Sequence, residues 1–103
     1  MLNFDPTRGH EQAGTRPALI LSVDVFNAGP AGLVIVLPIT SRPKGVRSHV
    51  PVQPPEGGLV VASFIKCEDV RSVARERLYR RLGEISAETM TEVEDRLRIL
   101  LGL

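Results

Sequence analysis

Cysteine and aromatic residues are scarce in this chain of 103 residues. The single cysteine, Cys67, excludes a disulfide bond within the chain and fits a reducing compartment. Together with the two histidines, at positions 10 and 49, it does not have the spacing of a metal-ligand set. The chain has no Trp, and aromatic residues make up 4% of it, so base stacking can supply only a minor part of any nucleic-acid binding.

Long apolar runs and an excess of charge are also lacking. No run is long enough to span a bilayer, and the first residues lack the basic and apolar regions of a signal peptide. We therefore expect a soluble, cytoplasmic protein that does not contact a membrane. The formal net charge of +1 gives no strong attraction to RNA, so any basic surface must come from local clustering. The length predicts a single domain over residues 1–103.

The chain does contain a series of apolar segments separated by turns rich in Gly and Pro. Five or six strands arranged in this way predict a small β-barrel. Residues 33–40 form a continuous apolar run, as expected for a central strand that is buried on both faces. The predicted strands are residues 1–4, 17–25, 33–40, 46–52 and 59–68, followed by a short strand or turn within 71–81.

The pattern becomes helical from Ser86, which is a good N-cap residue. An apolar stripe at helical spacing is expected to pack on the barrel or on a second subunit. Before the helix, residues 71–81 contain five Arg and one Glu. We interpret this segment as a solvated rim, with a surface that follows RNA phosphates as the alternative. The residues of the apolar stripe are Met90, Val93, Leu97 and Leu100.

Residues 9–17 (GHEQAGTRP) are the stretch most indicative of function. Two glycines and a proline mark a loop, yet the segment also carries an imidazole, a carboxylate, an amide and a guanidinium. Arg16 precedes an apolar strand, so its backbone is expected to be held by the sheet while the loop before it stays mobile. A fixed guanidinium that faces an acidic loop suits a site that binds a phosphate and acts on it.

The motifs of the chain, taken in order, resemble those of the MazF/PemK toxins, the ribosome-independent mRNA interferases. Residues 5–9 (DPTRG), 11–14 (EQAG) and 16–22 (RPALILS) carry the resemblance in the first part of the chain. Two later segments continue it, VLPITS at 36–41 and SFIKCEDVRS at 63–72. The resemblance covers nearly the whole chain, and the ordered set is more specific than any single motif.

This resemblance implies a mainly β (α+β) fold, namely an SH3-like small β-barrel with a C-terminal α-helix. It also implies a toxin endoribonuclease that cuts single-stranded RNA (mRNA) at short specific sequences and is neutralised by a cognate antitoxin protein. The protein would act as a homodimer and would need no cofactor. Attack by a 2′-OH on its own phosphodiester needs no metal ion and leaves a 2′,3′-cyclic phosphate and a 5′-OH. DNA lacks this nucleophile and should not be cut.

Three residues are expected to carry catalysis. Arg16 is charged at any working pH, so it suits a clamp for the phosphorane dianion. Thr40 ends a buried strand, where its hydroxyl could donate to a phosphate oxygen, and in the family the matching Arg and Thr lie side by side. Glu11 is the nearest carboxylate and could take the proton from the ribose 2′-OH, or it could serve only to order its turn.

A second set of residues is expected to bind RNA. A sequence preference would come from bases splayed into pockets formed by residues 8–15 and 41–47. The family usually has a small residue where this chain has His10, so we assign His10 to RNA contact and not to the role of base. His49 lies among apolar strand residues and is interpreted as structural. The predicted RNA-binding residues are Arg8, His10, Gln12, Arg42 and Lys44.

Besides His10, the chain departs from the family pattern at two places, which leaves alternatives open. The first strand, residues 1–4, is shortened at its N-terminus, so either translation starts further upstream or the barrel closes with a short strand. Glu68 and Asp69 stand where many members have Asp and Gln. The alternatives to catalysis are a non-catalytic poison like the CcdB toxin that binds DNA gyrase, and an inactive module that binds RNA or antitoxin.

Overall fold

The computed structural model describes residues 2–3 and 15–103, which form a two-stranded and a five-stranded antiparallel sheet with a long helix at the C-terminus. The strands are β1 (Leu2–Asn3), β2 (Thr15–Arg16), β3 (Ala18–Ile20), β4 (Leu33–Thr40), β5 (His49–Val52), β6 (Ser63–Lys66) and β7 (Arg71–Ala74). The helices are α1 (Asp24–Asn27) and α2 (Ala87–Leu101), and two 3₁₀ turns cover Glu56–Gly58 and Arg75–Arg77.

Strand β4 is the centre of the fold. The five-stranded sheet has the order β3-β4-β6-β5, and β7 pairs with β4 as well, while β1 and β2 form a separate pair. All these pairings are antiparallel. Within the described residues the five-stranded sheet stays open and does not close into a complete barrel. The predicted mainly β architecture with one C-terminal helix is confirmed.

The prediction that residues 33–40 are buried on both faces is also confirmed, because β4 separates two apolar clusters. Side chains alternate along a strand, so Leu37 and Ile39 point to one face and Val34 and Val36 to the other. All four are at most 6% exposed. The first cluster includes strands β5 and β6 and is covered by α2; the second includes Val73 of β7, with Ala18 and Leu78 packed against it.

Helix α2 begins where its sequence predicts. Ser86 is the N-cap, and its side chain accepts a hydrogen bond from the backbone N–H of Thr89 at 3.1 Å. Gly102 ends the helix in the left-handed conformation, with φ of 71°, which glycine adopts without a steric penalty. Three of the four stripe residues, Met90, Val93 and Leu97, pack on the first cluster. The stripe therefore packs mainly on the chain's own sheet. No helix among the described residues is long and apolar enough to cross a membrane.

Several predicted strands are shorter in the structure than in the sequence analysis. The strand predicted at 17–25 ends at Ile20, because the chain turns at Ser22 and then forms α1. Ser22 holds this turn: its hydroxyl accepts the N–H of Ile35 at 2.9 Å, and its carbonyl accepts the amide of Asn27 at 2.9 Å. Polar side chains that bond to nearby backbone compete with the sheet ladder in this way.

The other long segments are interrupted for related reasons. The segment predicted at 46–52 begins as a strand only at His49, whose N–H donates to the carbonyl of Val46 in a turn. The segment predicted at 59–68 is a strand only over Ser63–Lys66, since a 3₁₀ turn at Glu56–Gly58 precedes it. Residues 71–81 form β7 and then a 3₁₀ turn.

Candidate active site

The register of the sheet brings Arg16 and Thr40 to neighbouring positions. Strand β3 pairs with β4 so that Ala18 lies opposite Pro38, and the N–H of Ile39 donates to the carbonyl of Pro17 at 3.1 Å. Continuing this register by two positions from the Ala18–Pro38 pair sets Arg16 opposite Thr40. Directly opposed residues of an antiparallel pair have their Cβ atoms about 4.5–5.5 Å apart and share a face of the sheet. The Arg16 and Thr40 side chains therefore leave the backbone from neighbouring positions on one face.

The two residues are held by backbone and remain partly exposed. Arg16 also pairs with Leu2 in the short β1–β2 ladder, which fixes its backbone from the other side. The Thr40 hydroxyl accepts the N–H of Arg42 at 3.2 Å, which leaves its own hydrogen to donate to a ligand. Both side chains are half-buried, so they are ordered by the sheet yet accessible.

The face that carries Arg16 and Thr40 continues across the sheet. Thr40 lies opposite Phe64 of β6, Phe64 lies opposite Pro51 of β5, and Lys66 lies opposite His49. The reverse face of the same strands carries Ile39, Ile65 and Val50, all in the first apolar cluster. The candidate site is thus on the face opposite to α2. We call its row of side chains, Arg16, Thr40, Phe64 and Pro51, the site row.

The basic loop between β4 and β5 starts next to Thr40. Arg42 and Lys44 are exposed in this loop, two and four positions after Thr40 in the sequence. The far end of the loop is held by α2, since the guanidinium of Arg96 donates to the carbonyl of Arg47 at 3.0 Å. The structure therefore brings together Arg16, Thr40 and the start of the basic loop. The predicted site residues Glu11, Arg8, His10 and Gln12 lie outside the described residues.

A hydrogen-bonded carboxylate next to the site row was not assigned a role from the sequence. Glu68 accepts the hydroxyl of Ser48 at 2.7 Å, and its other oxygen lies 3.0 Å from His49 Nε2. Partial burial raises the pKa of Glu68, but hydrogen bonds from Ser48, from its own backbone N–H and from His49 outweigh this, so the pKa is lowered. Glu68 is therefore an ionised, oriented carboxylate.

His49 is buried and binds Glu68, in keeping with its interpretation as a structural residue. Its side chain is 4% exposed, and Nδ1 has no hydrogen-bond partner within the described part of the chain. Sequence spacing gave no sign of this pair, because the two residues meet only through the β5–β6 register. The neighbouring Cys67 takes no part, since burial raises the pKa of its thiol to about 11 and keeps it protonated.

Three arginines of the basic segment 71–81 are engaged by acceptors of the protein itself. Arg71 binds Asp69 through two hydrogen bonds, of 3.0 and 2.6 Å. Arg75 donates to the carbonyl of Asn27 at 2.5 Å and so caps the end of α1. Arg81 pairs with Glu84 at 2.7 Å. These contacts favour the interpretation of this segment as a solvated rim.

An apolar groove lies away from the site row. It has a volume of about 630 Å³ and runs between β3 and the extended residues 78–85, with Leu19, Leu82 and Ile85 among its lining residues. Thr40 does not line it. No cluster of three or more His, Cys, Asp or Glu that could hold a metal ion occurs in the described residues.

The fold defines a small antiparallel β protein of the SH3-like barrel class, with Arg16 and Thr40 at neighbouring, partly exposed positions of its sheet. The sequence profile described as "PemK-like, MazF-like toxin of type II toxin-antitoxin system" matches residues 1–101. The chain belongs to this PemK/MazF family of toxins.

Individual relatives agree with the family match. The chain is 34% identical to endoribonuclease MazF9 of Mycobacterium tuberculosis, over 99% of this chain and 91% of that protein. It is 32% identical to the endoribonuclease toxin MazF of Escherichia coli, over 98% of this chain and 87% of that protein. Among solved structures, the matching chain of a MazE–MazF structure from Deinococcus radiodurans is 40% identical in sequence to this chain. The two superpose with a TM-score of 0.83, over 99% of this chain and 89% of the matching chain. The predicted SH3-like, MazF-type fold is thereby confirmed.

Proposed function

We propose that this chain is a toxin endoribonuclease that cuts single-stranded RNA at short specific sequences and needs no metal ion. The observation that supports this most is the continued β3–β4 register, in which Arg16 and Thr40 are neighbours on an accessible face. Similarity to proteins named endoribonuclease MazF supports the same activity. A single domain over residues 1–103, acting in the cytoplasm, is part of the proposal.

The reaction would be an internal transesterification. The ribose 2′-oxygen forms a bond to the adjacent phosphorus while the bond from phosphorus to the 5′-oxygen breaks. The proton of the 2′-OH passes to a general base, for which Glu11 is the candidate, and the leaving 5′-oxygen takes up a proton. Arg16 would stabilise the charge that develops on the non-bridging oxygens, and Thr40 would donate a neutral hydrogen bond to one of them.

RNA would approach along the face that carries the site row. Arg42 and Lys44 are exposed in the segment that follows Thr40 and would contact the phosphate backbone, together with Arg8, His10 and Gln12 from the sequence before β2. Bases held against this face would set the sequence preference.

Two protein partners belong to the proposal. A cognate antitoxin would neutralise the toxin, which is supported by similarity to the toxin of a solved MazE–MazF complex. The chain would also associate with a second copy of itself as a homodimer, with two symmetric sites beside the interface.

An RNA with a single 2′-deoxy nucleotide tests the chemistry. The cleaved bond is first located in an unmodified single-stranded RNA, and the nucleotide that supplies the 2′-OH is then replaced by its 2′-deoxy form. We expect cleavage at that bond to be lost, while an RNA with the replacement two nucleotides away is still cut there. Equal cleavage of the modified bond would contradict 2′-OH attack and indicate hydrolysis by water.

A further inference from the structure

Phe64 is one of the four residues of the site row and projects from the same face of the sheet as Thr40. It is directly opposite Thr40 on one side and Pro51 on the other. Its sequence neighbours Ser63 and Ile65 are buried and point the other way, with Ile65 fully buried in the first apolar cluster. Opposed strand residues share a face, so the Phe64 ring stands beside the Thr40 side chain.

The Phe64 ring is only partly buried and is not a member of either apolar cluster of the described residues. Because the ring lies beside the Thr40 hydroxyl and outside both clusters, hydrophobic packing in the core stabilises it little. Aromatic residues are rare in this chain, with three Phe, one Tyr and no Trp. The described part of the sequence has one other Phe, Phe26, and it lies on α1.

We propose that Phe64 is the platform on which an RNA base stacks beside the cleaved phosphate. Aromatic side chains bind single-stranded RNA by stacking on unpaired bases, and the contact tolerates any base because every base has a flat face. The exposed Pro51 extends the apolar surface beyond the ring, while Thr40 lies on its other side. A base on Phe64 therefore has its sugar-phosphate within reach of the Arg16–Thr40 pair. This inference rests on the proposed RNA cleavage and adds a residue that selects and positions the substrate.

The platform predicts a preference by base size at one substrate position. Purines have a larger stacking face than pyrimidines, so cleavage should fall from purine to pyrimidine to an abasic nucleotide at that position. Loss of one base–aromatic stack corresponds to about a 5- to 150-fold loss in kcat/KM. Phe64→Leu keeps an apolar side chain but removes the aromatic face, and it should lower kcat/KM by a factor in this range. Phe64→Trp should restore most of the loss.

The decisive experiment combines the protein variants with a set of RNAs that carry one abasic nucleotide at each position near the cleaved bond. In the parent protein, one position should be sensitive to base removal, and in Phe64→Leu that same removal should have no further effect. Phe26→Leu is the matched control and should behave as the parent. If Phe64→Leu slows every RNA equally, including the abasic one, the ring serves only for packing and the inference is wrong. Unchanged cleavage by Phe64→Leu would overturn it as well.

A binding measurement separates this inference from the proposed cleavage. RNA with 2-aminopurine at the sensitive position, or scanned across the strand, should lose fluorescence on binding to the parent protein and keep it with Phe64→Leu. Quenching by a parent protein that does not cut RNA would support the platform and contradict the proposed function. Cleavage without Phe64-dependent quenching at any position would contradict the platform and leave the proposed function standing.

Discussion

Arg16 is the residue on which the proposed chemistry depends most. Its backbone is paired on one side with β1 and continues into the β3–β4 ladder on the other, so the sheet fixes the point from which its side chain extends. Arg16→Ala should lower RNA cleavage by about 10²–10³-fold, the usual cost of losing one preorganised donor to a transition-state oxyanion. Single-turnover cleavage, with circular dichroism to confirm folding, measures this.

Arg16→Lys is the informative control for that variant. Lysine keeps the charge and loses the planar fork, so partial rescue would indicate a point charge and no rescue would indicate bidentate binding of the phosphate. If Arg16→Ala unfolds the protein, Arg16 has a structural role and its catalytic assignment fails.

Glu68 gives stability that depends on pH. Hydrogen bonds from Ser48 and His49 help to hold the pKa of Glu68 below its usual value in the folded state, although partial burial alone would raise it. Because the pKa of Glu68 is lower in the folded state, its contribution to stability is complete above its pKa in the unfolded chain, about 4.3. The contribution is lost as the pH falls through its pKa in the folded protein. Glu68→Gln should therefore lower the free energy of unfolding more at pH 7 than at pH 3.

Urea unfolding at both pH values measures this difference. Glu94→Gln, on the exposed side of α2, is the matched control and should give nearly the same small change at both. If Glu68→Gln lowers the free energy of unfolding equally at the two pH values, the folded state does not stabilise the charged form of Glu68, and the prediction is wrong.

The site residues differ in how far the sequence could identify them. Arg16 and Thr40 were assigned from local motifs together with the family resemblance, since Arg16 precedes a recognisable apolar segment and Thr40 ends one. Phe64 and the His49–Glu68 pair were not, because their relation to the site comes from the registers of β4, β5 and β6. The alternation of side chains along one strand shows which residues share a face of that strand. Which residues of other strands stand beside them depends on how the strands pair, and this cannot be read from one segment alone.

Helix α2 is the element whose boundaries depend most clearly on single residues. Ser86 caps it through the N–H of Thr89, and the N–H of Ser86 itself donates to Glu56 at 2.9 Å. Ser86→Ala should lower the free energy of unfolding by about 1 kcal/mol, the usual cost of losing an N-cap side chain. Ser86→Asp retains an acceptor and should stay close to the parent protein. A midpoint of urea unfolding that is unchanged in Ser86→Ala would contradict this role.

At the scale of elements, the helix was predictable and the lengths of the strands were not. The N-cap Ser86 and the apolar stripe identified the helix and its start. The apolar runs, by contrast, continue beyond the strands: Val60 and Val61 are 89% and 54% exposed although they stand within a predicted strand. Hydrophobicity alone therefore overestimates the strand, because turn hydrogen bonds and the 3₁₀ turn before it decide where pairing begins.

The whole molecule exposes apolar side chains that a second subunit could cover. Near the end of α2, Ile99 and Leu103 are 71% and 84% exposed. Clustered apolar surface of this kind is typical of an interface between proteins. We expect sedimentation velocity to give twice the chain mass of 11.3 kDa at micromolar concentration. A species of the single-chain mass alone at that concentration would contradict the homodimer.

Whether this chain itself cuts RNA can be tested with purified protein in one assay. Parent protein and Arg16→Ala are incubated with single-stranded RNA and with DNA of the same sequence in EDTA, and the ends of the products are mapped. We expect cleavage of RNA alone, with 2′,3′-cyclic phosphate and 5′-OH ends, at a rate about 10²–10³ times lower in Arg16→Ala. RNA left intact by a folded parent protein, or cut equally fast by Arg16→Ala, would contradict this expectation.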